Sequence, residues 1–247
     1  MTINLISYQC FTLNLLTNIN YKRRTAMQAI MEPIFHFSYL TTVILLGMAM
    51  LIKSKDIPYF KWFGIMAITL GLGDAFHLIP RVIALMTTGF ESHAAALGFG
   101  KFVTSITMTI FYLILYNLWK IRYKVKNVQK LDFVMFSLAA IRIALCFFPQ
   151  NQWFVSDSPV SWAIYRNTPF AIMGIIMIVL FYSKGKEHQD KNALKISFAI
   201  FLSFGFYIPV VLWAKVHMLI GMLMIPKTLA YLWIVFIGFG EFRKKNN

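Results

Sequence analysis

The sequence has few charged residues for its length, and acidic residues are the scarcest of them. Of its 247 residues only 13% are charged, and nine are Asp or Glu against 24 Lys or Arg. A soluble domain carries about 25% charged residues, whereas 59% of this chain is hydrophobic. One water-soluble core cannot enclose so much apolar surface. The composition therefore excludes an ordinary soluble domain and makes the lipid bilayer the first expected partner.

Several signatures of soluble proteins are also missing. The two cysteines, Cys10 and Cys146, have no motif spacing, which excludes a disulfide framework and a cysteine zinc knuckle. There is no glycine-rich phosphate loop and no nucleophile elbow. An excess of Lys and Arg would suggest nucleic acid in a soluble protein. Here the cations gather in short segments between apolar runs, as in the cytoplasmic loops of membrane proteins, so we expect no nucleic-acid partner.

What the sequence does contain is a series of seven apolar runs, each near the ~20 residues that a membrane-spanning helix needs. The runs cover residues 33–52, 61–85, 102–119, 131–148, 168–183, 194–213 and 218–240. They follow one another without a linker or an internal repeat. The sequence therefore predicts an all-α membrane protein, a seven-transmembrane-helix bundle that forms one domain over residues 31–247.

The distribution of positive charge predicts the orientation of this bundle. Most Lys and Arg residues lie between runs one and two, three and four, and five and six, and after run seven. By the positive-inside rule these segments are cytoplasmic, with the N-terminus outside and the C-terminus in the cytoplasm. Only Lys22, Arg23 and Arg24 oppose this, so we expect residues 1–30 to be a poorly ordered tail or an over-extended start, with translation beginning at Met27 or Met31. The expected location is a bacterial plasma membrane.

The longest predicted outer segment lies between runs four and five. It covers residues 149–167 and contains Trp153, Trp162 and Tyr165. Aromatic residues of this kind are typical of the membrane interface. A lid over an outer cavity is the functional alternative.

The second run carries the most informative stretch, GLGDAFHLIPR, residues 71–81. Asp74, His77 and Arg81 stand at positions i, i+3 and i+7, which share one face of a helix. Ionisable residues at membrane depth are costly and normally face a bundle interior or a water-filled cavity. This face is therefore a candidate wall of a binding site.

The opposite wall is expected on the seventh helix. Asp74 lies about 15 Å from the outer end of its helix and Lys227 about 14 Å from the outer end of the last one, at a rise of ~1.5 Å per residue. The shared depth predicts an Asp74–Lys227 ion pair. Arg142 on the fourth helix falls at a similar depth, so one carboxylate faces several cations.

These residues support two interpretations. In the structural one they are snorkelling side chains and an ion pair that fixes helix packing. In the functional one Asp74, His77, Arg81, Arg142 and Lys227 surround an outward-facing cavity that binds a small anionic ligand, in a sensor or a transporter. That interpretation requires no cofactor and no metal, and it leans away from an enzyme.

A lysine in the last of seven helices resembles the Schiff-base lysine of microbial rhodopsins. The segment YIPVVLW, residues 207–213, is similar to the tyrosine–proline–tryptophan pattern that those proteins place against retinal. The resemblance implies that Lys227 would bind retinal and that Asp74 would be its counterion.

An enzyme is the third alternative. His36, His77 and His217, together with Asp74, all fall in the predicted outer half of the bundle, and three histidines around zinc leave a position for an activated water. This arrangement resembles alkaline-ceramidase-like seven-helix hydrolases, which would imply a metal-dependent intramembrane hydrolase. The segments GDAFHLIPR and IPKTLAYLW also resemble signatures of a bacterial seven-helix membrane family, from which no function follows.

Overall fold

The computed structural model describes residues 30–54, 57–155, 157–214, 216 and 218–246, and it is built from helices. Within this part of the chain there are no strands. The predicted tail, its Lys22–Arg24 cluster and His217 lie outside the described residues. The long helices are α1 (Ile30–Lys53), α2 (Pro58–Met86), α3 (Ala94–Tyr123), α4 (Gln129–Cys146), α5 (Val160–Glu187), α6 (Lys191–Trp213) and α7 (Met224–Asn246). Two short 3₁₀ helices cover Pro149–Asn151 and Met218–Leu223.

Six of the seven long helices in the described part are long and apolar enough to cross a membrane. This confirms an all-helical protein with multiple candidate membrane spans. The exception is α4, which has only 18 residues and contains Lys130, Asp132 and Arg142. Its outer surface is nevertheless apolar, since Phe133 is 74% exposed and Phe136 is 55% exposed.

Two helices begin well before the predicted runs. The α3 helix starts at Ala94 and α5 at Val160, each eight residues earlier than the apolar run indicated. Lys101 stands directly before one run and Arg166 and Asn167 before the other. These polar residues end the apolar run without ending the helix, so hydropathy underestimates the helix length. As a consequence Trp162 and Tyr165 lie on α5, and the prediction that both belong to an outer loop was wrong.

The α2 and α3 helices pack closely at glycines, and this packing places the predicted polar face. A Cβ at Gly73 would overlap the Thr107 side chain, and a Cβ at Gly100 would overlap the Phe76 carbonyl. Small residues allow such close approach of helix backbones in membrane proteins. The Thr104 hydroxyl donates to the Gly73 carbonyl at 3.0 Å. The α2 backbone next to Asp74 and His77 is thereby held against α3.

The segment between α4 and α5 is held against the end of the bundle. The Asn151 amide donates to the carbonyls of Leu145 and Phe148 at 2.7 and 2.8 Å, and the Trp153 indole donates to the Cys146 carbonyl at 2.9 Å. Arg166 adds a hydrogen bond to the Asn151 side chain at 2.9 Å. These bonds satisfy carbonyls at the α4 C-terminus. These contacts are those of a fixed cap on the C-terminus of α4, not of a mobile lid.

Candidate functional site

The site begins with two polar stripes on neighbouring helices. On α1, Glu32, His36 and Tyr39 occupy positions i, i+4 and i+7, and they face the Asp74, His77 and Arg81 stripe of α2. The Tyr39 hydroxyl donates to the Asp74 carboxylate at 2.7 Å. Seven residues away along each helix, Arg81 donates to both oxygens of Glu32 at 2.9 and 3.2 Å. The antiparallel course of the two helices brings the deep pair and the shallow pair together in register.

A cavity of about 50 Å³ lies between these stripes and α7. We call it the deep cavity. A buried water needs roughly 10–15 Å³ by this kind of measure, so the deep cavity has room for a few waters or a small ion. Its lining includes Asp74, His77, Arg81 and Lys227, four of the five predicted ligand-binding residues. The structure therefore brings these four together, and adds Glu32, His36, Thr104 and Thr228.

A second cavity, of about 260 Å³, adjoins the first and opens between the start of α3 and the segment after α4. We call it the vestibule. His77 and Arg81 line both cavities, while Lys101, Glu91 and Trp153 line only the vestibule. The two shared side chains therefore form the wall between the deep cavity and the more open space.

The predicted direct ion pair between Asp74 and Lys227 does not form. Asp74 is instead hydrogen-bonded to Tyr39, and the Lys227 ammonium lies over the ring of Tyr207, 4.6 Å from its centroid, and 5.7 Å from that of Tyr231. Among the described residues no carboxylate oxygen lies within 4.0 Å of the Lys227 ammonium. The shared depth of Asp74 and Lys227 correctly indicated that both line one cavity. The Lys227 ammonium, however, contacts aromatic rings and not the Asp74 carboxylate.

Two further features modify the predicted charge count. Arg81 is paired with Glu32, a carboxylate that the count of one acid against several cations left out. Arg142 lines neither cavity and instead lies over the Phe170 ring, 3.4 Å from its centroid. Even so, among the described residues of this half of the bundle, the buried charged side chains are Glu32 on one side and Arg142, Arg166 and Lys227 on the other, with Asp74 half-buried. An excess of buried positive charge remains.

The histidines of the deep cavity have unsatisfied nitrogens. His36 is 6% exposed, and neither of its ring nitrogens has a hydrogen-bond partner, although the Glu32 carboxylate is 3.9 Å away. His77 Nδ1 is also buried without a partner. Buried polar atoms of this kind commonly bind water or a ligand.

The described residues include no group of three or more His, Cys, Asp or Glu side chains placed to hold a metal. His36, His77 and Asp74 line one cavity without forming such a group, and His217 lies outside the described part. The retinal alternative depends on the surroundings of Lys227. Sites for small organic molecules usually have volumes of about 300–1,000 Å³, whereas the cavity beside Lys227 has about 50 Å³. Tyr207 contacts Lys227 as the resemblance implies, but Trp213 is 50% exposed. Retinal binding at Lys227 stays a prediction.

A second polar cluster, at the opposite end of the bundle, was missed by sequence reasoning. The Arg122 guanidinium donates to Asp190 at 2.6 and 2.8 Å and to Glu241 at 2.8 and 2.7 Å. It also donates to the Tyr59 hydroxyl at 2.6 Å, and the Asn192 amide donates to Glu241 at 2.7 Å. These residues join the ends of α2, α3, α6 and α7. In the sequence Arg122 is one of many cations beside a loop. Its two partners, Asp190 and Glu241, are 68 and 119 residues away along the chain, so no local pattern indicates the cluster.

Asp190 is also the N-cap of α6, where its side chain accepts from the backbone amides of Asn192 and Ala193. Partial burial opposes ionisation of this carboxyl. The hydrogen bonds from Arg122 and from the Ala193 amide outweigh that effect and lower the pKa of Asp190 below its ordinary value. The carboxylate is therefore ionised at neutral pH, as its pairing with Arg122 requires.

Comparison with known proteins adds no identification to this geometry. The chain matched no protein-family model, no curated protein and no solved structure. The class that the fold itself supports is an all-helical protein with six candidate membrane spans in its described part.

Proposed function

We propose that this chain is a multi-pass protein of a bacterial plasma membrane whose deep cavity binds a small anionic ligand, as a sensor or a transporter. The carrying observation is the Lys227 ammonium. It is on a residue only 8% exposed, it lines the cavity, and no described carboxylate lies within 4.0 Å of it. Asp74 lines the same cavity and acts on the Lys227 charge without touching it. An anion in direct contact with the ammonium would further offset the cost of burying it.

The vestibule supplies the route in this proposal. Lys101, Arg81 and the carboxylate of Glu91 line it, and His77 and Arg81 stand where the vestibule meets the deep cavity. The positive-inside rule directs this end of the bundle outward, with the N-terminus outside and the C-terminus in the cytoplasm. The ligand would then enter from outside, pass His77 and Arg81, and meet Lys227 and the hydroxyl of Thr228.

The small cavity limits the ligand. In the described conformation there is room for an anionic group of a few heavy atoms, with any remainder of the molecule in the vestibule. Asp74 would carry no direct contact with the anionic group, since its charge opposes it. Held beside Tyr39, the Asp74 carboxylate would instead accept a hydrogen bond from a donor group on the ligand.

The test uses purified protein in detergent and its melting temperature. Sodium phosphate, sulfate and acetate are compared with sodium gluconate at equal ionic strength. At about ten times its Kd, a bound anion contributes roughly 1.4 kcal/mol, which raises the melting temperature by about 3–5 °C for a chain of this size. We expect at least one of these anions to produce that rise in the wild type.

Two variants decide whether the cavity is responsible. Lys227→Met should abolish the rise, whereas Lys186→Met, a change at an exposed lysine, should retain it. An equal rise in Lys227→Met, or none of the three anions acting on the wild type, would contradict the proposal. Uptake of the active anion into proteoliposomes would then identify a transporter, and binding without uptake would identify a sensor.

A further inference from the structure

We infer that Arg142 forms a second anion site, separate from the deep cavity, which holds a single monatomic anion such as chloride in the core of the bundle. The residue is 2% exposed, and it is the largest of the fully buried side chains. Its Nε and Nη1 atoms are buried and have no hydrogen-bond partner. This site does not depend on the proposed function of the deep cavity.

No described carboxylate compensates the charge of Arg142, since none lies within 4.0 Å of its guanidinium. Its guanidinium lies over the Phe170 ring, 3.4 Å from the guanidinium carbon to the ring centroid. A cation–π contact is weaker than the penalty for removing a charge from water. The ring alone therefore leaves most of that penalty uncompensated.

The surroundings of Arg142 present hydroxyl groups as well as rings. Tyr112, Tyr207 and Tyr231 lie near enough to act on its charge. The Tyr207 hydroxyl donates to the Asn167 side chain at 3.0 Å, and the Tyr112 and Tyr231 hydroxyl oxygens are 3.4 Å apart. Phe170 links these groups, because its ring packs against Tyr112 with centroids 4.9 Å apart and against Tyr207 with centroids 6.2 Å apart. Two guanidinium N–H groups and the one phenol O–H not used between Tyr112 and Tyr231 remain as donors, and a halide accepts from both kinds of group.

Two observations favour a monatomic anion over the alternatives. Arg142 is 2% exposed and lines neither the deep cavity nor the vestibule, so any occupant beside it has to be small. Water would fit and could accept the free N–H groups, but a neutral water leaves the buried charge uncompensated. A halide supplies both the acceptor and the opposite charge.

The experiment compares sodium gluconate with sodium chloride and sodium bromide at equal ionic strength on purified full-length protein. Gluconate is too large for the site. A site filled to ten times its Kd should raise the melting temperature in halide by about 3–5 °C. The rise should be absent in Arg142→Met and retained in Arg243→Met, which removes an arginine from an exposed position. Arg142→Met should be at least as stable as the wild type in gluconate, because it removes an uncompensated charge.

Two further measurements complete the test. Lys227→Met should weaken the halide response without abolishing it, because Lys227 lies over Tyr207 and Tyr231 beside this site, whereas Arg142→Met removes the response. If Arg142→Met does not fold, anomalous scattering from bromide in wild-type crystals decides the matter, with a peak expected beside the guanidinium. No halide response in the wild type, an equal response in Arg142→Met, loss of the response in Lys227→Met, or bromide-soaked crystals with no peak at Arg142 would each overturn the inference.

Discussion

Asp74 and Tyr39 show how a carboxylate can be kept at membrane depth without a cation against it. The phenol donates to the carboxylate at 2.7 Å, and hydrogen bonds to ionised acceptors are among the stronger ones in proteins. Tyr39 is only 2% exposed, so water does not compete at the phenol. The ion pair that the sequence predicted is therefore not needed to hold Asp74 in place.

Removing this phenol tests the account. Tyr39→Phe should destabilise the protein by about 1.5–3 kcal/mol, because the carboxylate loses a hydrogen bond and stays partly buried. Thermal unfolding in detergent should show a melting temperature lower by roughly 3–12 °C. Tyr182→Phe, at a residue 53% exposed on α5, should change it little. Equal effects of the two substitutions would mean that the Asp74 contact contributes nothing.

The Arg122 cluster also depends on the ionisation of one residue. The folded-state pKa of Asp190 is below its ordinary value of about 4. Its contribution to stability is therefore fully present above the unfolded-state pKa and is lost as the pH falls through the lower folded-state pKa.

We expect the melting temperature of the wild type to fall more steeply than that of Asp190→Asn between about pH 4.5 and pH 3. Melting curves recorded over pH 3–7 would measure the difference between the two proteins. Parallel curves would show that Asp190 does not supply this dependence.

At the scale of helices, the Arg122 cluster connects parts of the chain that are far apart in sequence. One guanidinium contacts Asp190 before α6 and Glu241 on α7. The Arg122 side chain is 15% exposed, and those of Asp190 and Glu241 are 18% and 16% exposed. Without Arg122, two partly buried carboxylates would be left facing each other.

Arg122→Gln should therefore destabilise the protein by about 3 kcal/mol, which is near the lower end of the range for breaking a buried ion pair. The melting temperature should fall by roughly 6–12 °C. Lys184→Gln is the matched control, because Lys184 pairs with the exposed Glu187, and exposed pairs contribute little to stability. A drop no larger than that of the control would contradict the role of the cluster.

The α3 helix also contacts the segment after α4, at Gly98 and Trp153. A Cβ at Gly98 would overlap the Trp153 carbonyl, so this carbonyl rests directly on the α3 backbone. Gly98→Ala should push the segment away and destabilise the protein by about 1–3 kcal/mol. The vestibule should change with it, because Gly98 and Trp153 both line that cavity.

Gly240→Ala provides the comparison for this substitution. A Cβ there meets nothing within 4 Å, so alanine should be neutral or stabilise α7 by up to about 1 kcal/mol. Melting temperatures of the two alanine variants would separate the steric effect from helix propensity. If Gly98→Ala were as stable as Gly240→Ala, the segment would not be seated as described.

For the whole molecule, the main question is whether α4 crosses the membrane. It is a helix of 18 residues that is not among the six apolar candidates. If it spans, its two flanking segments lie on opposite sides, and the two termini of the helical bundle do as well. If it lies on the surface, both flanking segments lie on one side.

Single cysteines distinguish these arrangements. In a Cys10→Ser, Cys146→Ala background, Lys126→Cys precedes α4 and Val155→Cys follows it, and both positions are exposed. With intact cells and a membrane-impermeant maleimide, we expect labelling of Val155→Cys alone, because the positive-inside rule places Lys126 in the cytoplasm. Labelling of both or of neither would show that α4 does not span. Labelling of Lys126→Cys alone would reverse the orientation.

The sequence predicted the features that leave a local pattern in the chain and missed those that depend on contacts between distant residues. Apolar runs predicted all seven helices, and helical spacing placed Asp74, His77 and Arg81 on one cavity wall. The same spacing of Glu32, His36 and Tyr39 could have identified the opposing stripe. By contrast, nothing in the local sequence of Arg122 or Arg142 shows whether a carboxylate, an aromatic ring or neither lies beside it.

By itself, then, the sequence determined an all-helical chain with candidate membrane spans and a set of polar residues at one depth in the bundle. It could do so because the length of an apolar run and the helical spacing of polar residues are local properties of the chain. Only the tertiary structure decided the pairings. Tyr39 bonds Asp74, Glu32 pairs with Arg81, and Arg142 lies apart over Phe170. The physical reason is that an ion pair depends on a few ångströms and on the rotation of each helix about its axis. Both are set by packing contacts such as those at Gly73 and Gly100, which join residues far apart in the chain.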